Sequence, residues 1–220
     1  MDHKKLIIFD MDNTLIHSHL DFSLMKSEVL RILANSGYEA NELLPLTQIL
    51  NHFRQSSCYS SQLEKLVWQR VDDIENTGLK NSMAEPGIEQ VLEYLNNYAH
   101  LVALTNTNEE SAGNILHQLG LTRWLRQIMG RAGARELKPA PGGMLELLAL
   151  YSSLTAKDAL AIGDAEIDMR AAKQAGLSFC AYNRSRIEQW PVGKDAPKLF
   201  LNKWDAEAAR QILTLLYKVE

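Results

Sequence analysis

The stretch that decides the fold is residues 6–15, LIIFDMDNTL, in which a short apolar run leads directly into Asp10 and Asp12. An apolar run without alternation predicts a β-strand that is covered on both faces. The two aspartates would then lie in the loop at the carboxyl end of that strand. Because ligands of open α/β sheets bind beyond the carboxyl ends of the strands, this loop is a candidate site.

Outward from this stretch, short apolar runs alternate with helical patterns, which is typical of a parallel sheet wrapped by helices. The other candidate strands are residues 101–104, 128–129, 159–162, 179–182 and 199–201. From about Ser18 to Glu85 the pattern changes to consecutive helices, without any strand run. We therefore expect an α/β fold that contains an inserted all-helical subdomain.

Polar residues also follow two further predicted strands. Thr105 and Asn106 come directly after the second run, and Gly163 and Asp164 come after the run at 159–162, with Asp168 shortly beyond. Together with the aspartates of the first loop, these carboxylates would form an oxygen-rich site, which suits a hard cation such as Mg²⁺. Each pattern is weak alone, but their order and their places at strand ends favour a functional site.

The composition excludes several classes of protein. The chain has 220 residues, 46% of them hydrophobic, and its 23 basic against 27 acidic residues give a formal net charge of −4. It can therefore bury a core, and its mildly acidic balance argues against a general nucleic-acid or membrane-surface binder. The two cysteines support neither a disulfide framework nor a zinc site, and no window reaches transmembrane length. We expect a cytoplasmic protein that is a monomer or a homodimer.

Four motifs together resemble those of the haloacid dehalogenase (HAD) superfamily, in its phosphoglycolate-phosphatase-like branch. They are residues 10–15 (DMDNTL), 105–106 (TN), 138–141 (KPAP) and 163–168 (GDAEID). The resemblance implies a Rossmann-like catalytic core, residues 1–16 and 85–220, with an all-α helical cap at residues 17–84. It implies Mg²⁺-dependent hydrolysis of a small phosphorylated metabolite, with phosphoglycolate as the leading substrate.

The resemblance also assigns catalytic roles. Asp10 would attack phosphorus and form an aspartyl-phosphate, and Asp12 would act as general acid and then as general base. Thr105 and the backbone N–H of Asn106 would bind phosphoryl oxygens. Lys138 would neutralise charge in the transition state.

The same resemblance implies a metal site. Mg²⁺ would be held by Asp10, by the backbone carbonyl of Asp12 and by Asp164, whereas Asp168 would orient a ligand water or Lys138. The sequence departs from the family pattern at Asn13, where glycine is usual, and at Ala165, where serine or threonine is common. Since asparagine tolerates left-handed backbone geometry, we expect the first loop to keep its shape.

Two alternatives stay open at this point. A phosphosugar mutase would use the same residues and return the phosphoryl group to a sugar, and an idle binding or regulatory module would perform no chemistry. A dehalogenase is disfavoured, because carbon–halogen displacement does not require Asp12. His17, His19, Arg54 and Arg70 could contact a substrate, but we favour solvated positions for them.

Overall fold

The computed structural model describes residues 4–134, 136–183, 190–193 and 196–217. The strands are β1 (Lys5–Phe9), β2 (Ile16–His17), β3 (Met83–Ala84), β4 (Ala99–Leu104), β5 (Gln127–Met129), β6 (Ala159–Gly163), β7 (Ser178–Tyr182) and β8 (Leu199–Leu201). The α-helices are α1 (Phe22–Asn35), α2 (Leu46–Arg54), α3 (Ser61–Leu79), α4 (Ile88–Leu95), α5 (Glu109–Gln118), α6 (Gly142–Ala149), α7 (Glu166–Gln174) and α8 (Ala206–Tyr217).

The main sheet has six parallel strands in the order β5-β4-β1-β6-β7-β8. β1 lies between β4 and β6, so that Ile8 is opposite Val102 on one side and Ala161 on the other. The carboxyl ends of these three strands are therefore neighbours. The fold predicted from the sequence, a Rossmann-like α/β core with a parallel sheet and an inserted helical subdomain, is confirmed.

The apolar runs form strands because both faces of the sheet are covered. Every residue of β4 and of β6 is buried, and in β1 only Lys5 is not fully buried. Burying apolar surface contributes roughly 25 cal/mol per Å² relative to the unfolded chain, so these central strands are a principal source of stability. The loops of the candidate site follow directly from the carboxyl ends of these strands.

The structure contains a two-stranded antiparallel ribbon, one strand of which lies between Ser18 and Glu85, where the sequence pattern predicts no strand. β2 pairs with β3, with Ile16 opposite Ala84, and the backbone N–H of Glu85 donates to Leu15 O at 2.9 Å. Strands of two residues are too short to show a period-2 pattern in the sequence. The prediction of an entirely strand-free segment is therefore wrong at Met83–Ala84.

The chain divides into two compact units. One comprises the described residues up to Ser18 and from Ser82 onward, and thus includes the main sheet and the ribbon; the other is His19–Asn81. The second unit consists of α1, α2 and α3 around its own apolar core, which includes Phe53 and Val67. Among the described residues, no helix combines the length and the apolar character needed to cross a membrane.

Within the helical unit, the arginines considered from the sequence form ion pairs. The Arg54 guanidinium lies 2.6 Å from Glu64, and that of Arg70 lies 2.8 Å from Glu28. Two of its helices begin at side-chain caps, since Asp21 accepts from Leu24 N–H and Ser60 accepts from Leu63 N–H.

Candidate active site

The loop after β1 begins with Asp10, whose backbone N–H donates to Ile162 O of β6 at 2.8 Å. This bond fixes the start of the loop against the neighbouring strand, and the Asp10 side chain is only 10% exposed. The loop then turns back at Asn13, which has φ 58°. Asn13 thus adopts the left-handed geometry that asparagine tolerates, and Asp12, the residue before it, is buried.

Lys138 lies at the centre of the site, on the segment that precedes α6. Its side chain is buried, and its Nζ donates to Asp10 Oδ1 at 2.5 Å, to Asp168 Oδ1 at 2.7 Å and to Leu104 O at 3.0 Å. An ammonium group has three protons, and these three acceptors account for all of them. Lys138 therefore joins the ends of β1 and β4 to α7.

Asp168 is buried in the first turn of α7, where both of its oxygens are bonded. Oδ1 accepts from Lys138, and Oδ2 accepts from the backbone N–H of Ala165 at 3.1 Å. Gly163 makes room for this carboxylate, because a Cβ there would lie 2.6 Å from Asp168 Cγ. Asp168 therefore contacts the ammonium of Lys138 directly, and its role in orienting Lys138 stays a prediction.

Asn106, at the carboxyl end of β4, contacts the backbone of Lys138. Its Oδ1 accepts from Lys138 N–H and its Nδ2 donates to Lys138 O, both at 2.9 Å. The sequence predicts a role only for the backbone N–H of Asn106, so these two side-chain hydrogen bonds are an additional contact. The hydroxyl of Thr105 lies 3.4 Å from Asp12 Oδ2. The structure thus brings the predicted residues of the first three motifs together.

Charge in the site is predominantly negative. Burial raises the pKa of Asp10 well above its ordinary value; the charge of Asp168 raises it further, Lys138 lowers it, and Asp164 and Asp12 raise it. Burial lowers the pKa of Lys138, but Asp10 and Asp168 outweigh that effect, so the pKa of Lys138 lies above its ordinary value. The ammonium of Lys138 and the carboxylates of Asp10 and Asp168 therefore favour each other's charged forms, while burial opposes them.

The acidic cluster has the chemistry of a hard-cation site. Carboxylate oxygens of Asp10, Asp164 and Asp168 all lie within 4.8 Å of one another. These side chains supply only oxygen ligands, which Mg²⁺ prefers, and their combined charge exceeds that of the single ammonium of Lys138. The residues present therefore fit a divalent cation.

Thr107 is a residue of the candidate site that none of the sequence motifs indicates. Its buried hydroxyl donates to Asp12 Oδ2 at 3.2 Å. In the sequence, a threonine two residues beyond Thr105 simply belongs to the segment before a helix. Only the turn after β4 brings its hydroxyl to the first loop. His17 and His19, in contrast, are exposed, as the sequence analysis favoured.

The family model for haloacid dehalogenase-like hydrolases matches residues 7–182, a range that includes every residue of this site. The chain belongs to this family. The resemblance inferred from the four motifs is thereby confirmed, and the protein is a HAD-like hydrolase.

Curated relatives and solved structures agree with this membership. The phosphoglycolate phosphatase of Pseudomonas fluorescens is 27% identical over 213 residues, covering 90% of this hydrolase and 76% of the relative. That of Cereibacter sphaeroides is 27% identical over 188 residues, covering 80% and 84%. The crystal structure of a predicted phosphoglycolate phosphatase from Haemophilus somnus has a TM-score of 0.65 at 23% identity, covering 98% and 99% of the two chains. This last comparison shows a shared fold.

Proposed function

We propose that this HAD-like hydrolase is a Mg²⁺-dependent phosphatase that hydrolyses small phosphomonoesters through an aspartyl-phosphate on Asp10. The observation that carries the proposal is the buried ammonium of Lys138, bonded to both Asp10 and Asp168, with Asp164 in the same cluster. Phosphoglycolate is the leading substrate, and the relatives named phosphoglycolate phosphatase support it.

In the first half of the reaction, an oxygen of Asp10 attacks phosphorus. The new P–O bond to Asp10 forms while the ester P–O bond breaks, and Asp12 gives its proton to the leaving alkoxide. The alcohol leaves, and the phosphoryl group stays on Asp10.

In the second half, Asp12 takes a proton from a water molecule. The resulting nucleophile attacks phosphorus, the bond between phosphorus and Asp10 breaks, and inorganic phosphate leaves. Both carboxylates then have the protonation states with which they started. Asp12 suits the two opposite duties because its side chain is buried beside hydroxyl donors and not in bulk water.

The remaining residues bind the transferring group. Lys138 stabilises negative charge that develops on the phosphoryl oxygens, and Thr105 and the backbone N–H of Asn106 donate hydrogen bonds to them. The side chain of Asn106 keeps Lys138 in place through the backbone.

The metal ion would be held by Asp10, by the backbone carbonyl of Asp12 and by Asp164. When bound, Mg²⁺ supplies positive charge that lets these carboxylates and an anionic substrate lie close together. Asp168 would serve as a positioning residue, because both of its oxygens already accept hydrogen bonds.

We assign the sheet-containing unit as the catalytic core and His19–Asn81 as the cap. All the residues that we assign to the making and breaking of bonds belong to the core. We therefore assign the selection among substrates to the cap.

A screen of phosphate release over small phosphometabolites, with Mg²⁺ and with EDTA, tests the proposal. We expect release from phosphoglycolate or a similar ester with Mg²⁺, and none with EDTA or with Asp10→Asn. Conversion of a sugar phosphate to its isomer without phosphate release would replace the phosphatase by a mutase. Absence of release from every ester, including an activated aryl phosphate, would overturn the proposal.

A further inference from the structure

Asp12 is held by a second threonine that belongs to none of the four motifs. The hydroxyl of Thr107 lies 3.2 Å from Asp12 Oδ2, whereas the hydroxyl of Thr105 lies 3.4 Å from the same oxygen. Thr105 is 2% exposed, Thr107 4% and Asp12 9%. Both hydroxyls therefore meet the carboxylate in a nearly water-free environment.

The two hydroxyls cannot have the same duty during the reaction. A threonine hydroxyl has a single proton to donate. In the proposed function, Thr105 donates that proton to a phosphoryl oxygen, so its bond to Asp12 is lost when substrate binds. The hydroxyl of Thr107 can keep its bond to Asp12 throughout the cycle, and its bond is also the shorter of the two in this structure.

The backbone of Thr107 is fixed independently of Asp12. Its N–H donates to Thr105 Oγ1 at 3.1 Å, and its carbonyl accepts from Arg131 N–H at 2.9 Å. The next residue, Asn108, caps the first turn of α5 through its side chain. Because these bonds use the backbone or the neighbouring residue, removing the Thr107 hydroxyl leaves them in place.

We propose that Thr107 is the positioning residue of the general acid and base: its hydroxyl holds the Asp12 carboxylate in the orientation needed for proton transfer after Thr105 turns to the phosphoryl group. This role rests on the proposed function, in which Asp12 protonates the leaving alkoxide and later deprotonates water. Loss of the Thr107 hydroxyl should slow the steps in which Asp12 transfers a proton, and it should not slow steps without proton transfer.

The test compares Thr107→Val, which has the same shape but no hydroxyl, with the wild-type enzyme. For an alkyl phosphomonoester, we expect kcat to fall roughly tenfold or more, because a hydrogen bond to a charged group is lost. KM should change by less than about twofold, since the proposed function assigns Thr107 no contact with substrate. Thr107→Ser keeps a hydroxyl and should retain most of kcat.

Two further measurements separate positioning from general disruption. In the first turnover of 2,4-dinitrophenyl phosphate, the leaving group needs no proton, so the burst rate of Thr107→Val should stay within about twofold of wild type. Thr122→Val, a matched substitution in the short turn after α5, should behave as wild type in every assay. Circular dichroism verifies that each variant is folded, and Thr107→Ala replaces Thr107→Val if the latter does not fold.

Unchanged kcat of Thr107→Val on the alkyl ester would refute the role, as would an equal loss in the alkyl reaction and in the aryl burst. If the wild-type enzyme releases phosphate, either of these results refutes only the role of Thr107 and leaves the proposed function intact. Absence of phosphate release by the wild-type enzyme would instead refute the proposed function, and the role of Thr107 with it.

Discussion

Replacing Lys138 by methionine tests whether the buried ammonium holds the carboxylate cluster together. Methionine has a similar length and no charge, so the change removes the cation with little change in volume. The wild-type Nζ contacts Asp10 at 2.5 Å, Asp168 at 2.7 Å and Leu104 O at 3.0 Å, with the Lys138 side chain 3% exposed. The variant leaves two buried carboxylates without their shared donor.

The expected loss of stability in Lys138→Met follows from these distances. At about 2.6 Å and an effective dielectric constant of about 20, each charge pair contributes roughly 6 kcal/mol of attraction, much of which offsets the cost of desolvation. Removing one partner of a buried pair typically lowers the free energy of unfolding by about 3–5 kcal/mol. We expect a loss in that range at pH 8 without metal.

The loss should depend on pH in a defined direction. Lys138 lowers the pKa of Asp10, which burial and Asp168 raise, so the pKa of Asp10 should be higher in the variant than in the wild type. An acid whose pKa is raised by folding destabilises the native state as the pH rises through that pKa. Each additional unit of pKa corresponds to about 1.4 kcal/mol, so the cost of the substitution should be smaller at pH 5 than at pH 8.

Urea unfolding followed by circular dichroism, in EDTA at both pH values, measures this cost. The control is Lys203→Met, which removes a lysine that is 79% exposed and paired with Asp205, and its unfolding midpoint should stay close to wild type. Equal stability of Lys138→Met and wild type at both pH values would refute the reasoning, as would a cost that is larger at pH 5.

Three further predictions concern the same site. Asp10→Asn should abolish turnover, since an amide is a poor nucleophile. Asp12→Asn should lower kcat for an alkyl ester roughly 10²–10⁴-fold. Labelled phosphate found on Asp12 would reverse these two roles. Ca²⁺ in place of Mg²⁺ should lower turnover in a phosphate-release assay, because Ca²⁺ accepts more oxygen ligands and would engage both oxygens of the nucleophile; equal rates with both ions would contradict this. Gly163→Ala should lower both kcat and the urea midpoint, because its Cβ would collide with Asp168. The control Gly113→Ala has open space around its Cβ on α5 and should raise the free energy of unfolding by about 0.5–1 kcal/mol. If Gly163→Ala changed neither kcat nor the midpoint, Asp168 could move without cost.

The main sheet could be predicted from the sequence because its central strands are buried on both faces. Residues 6–9 and 101–104 are apolar throughout, which is the pattern that such burial requires. The ribbon of β2 and β3 could not be predicted in this way. Its pairing depends on where the turn at Asn13 directs the chain, and that turn was expected only as a local conformation.

The contacts of the candidate site likewise include some that the sequence predicts and some that it does not. Residues that follow strands directly, such as Asp10 and Thr105, are predictable, because a parallel sheet brings the carboxyl ends of adjacent strands together. The pairing of the Asn106 side chain with the backbone of Lys138 joins residues 32 positions apart, and it depends on the path of the segment before α6. Spacing along the chain contains no signal for such a contact.

The buried carboxylates around Lys138 lower the stability of the fold. Burying Asp10 beside Asp168 raises the pKa of Asp10 and thereby opposes ionisation, whereas an apolar core at this position would have no such conflict. The neighbouring structure compensates locally: Gly163 provides space, Ala165 N–H bonds one oxygen of Asp168, and the ammonium of Lys138 bonds the other. Local sequence rules and the fold disagree mainly at functional sites. The carboxylate cluster is such a place: in the proposed function, its unfavourable charge would attract a cation and, through that cation, an anionic substrate.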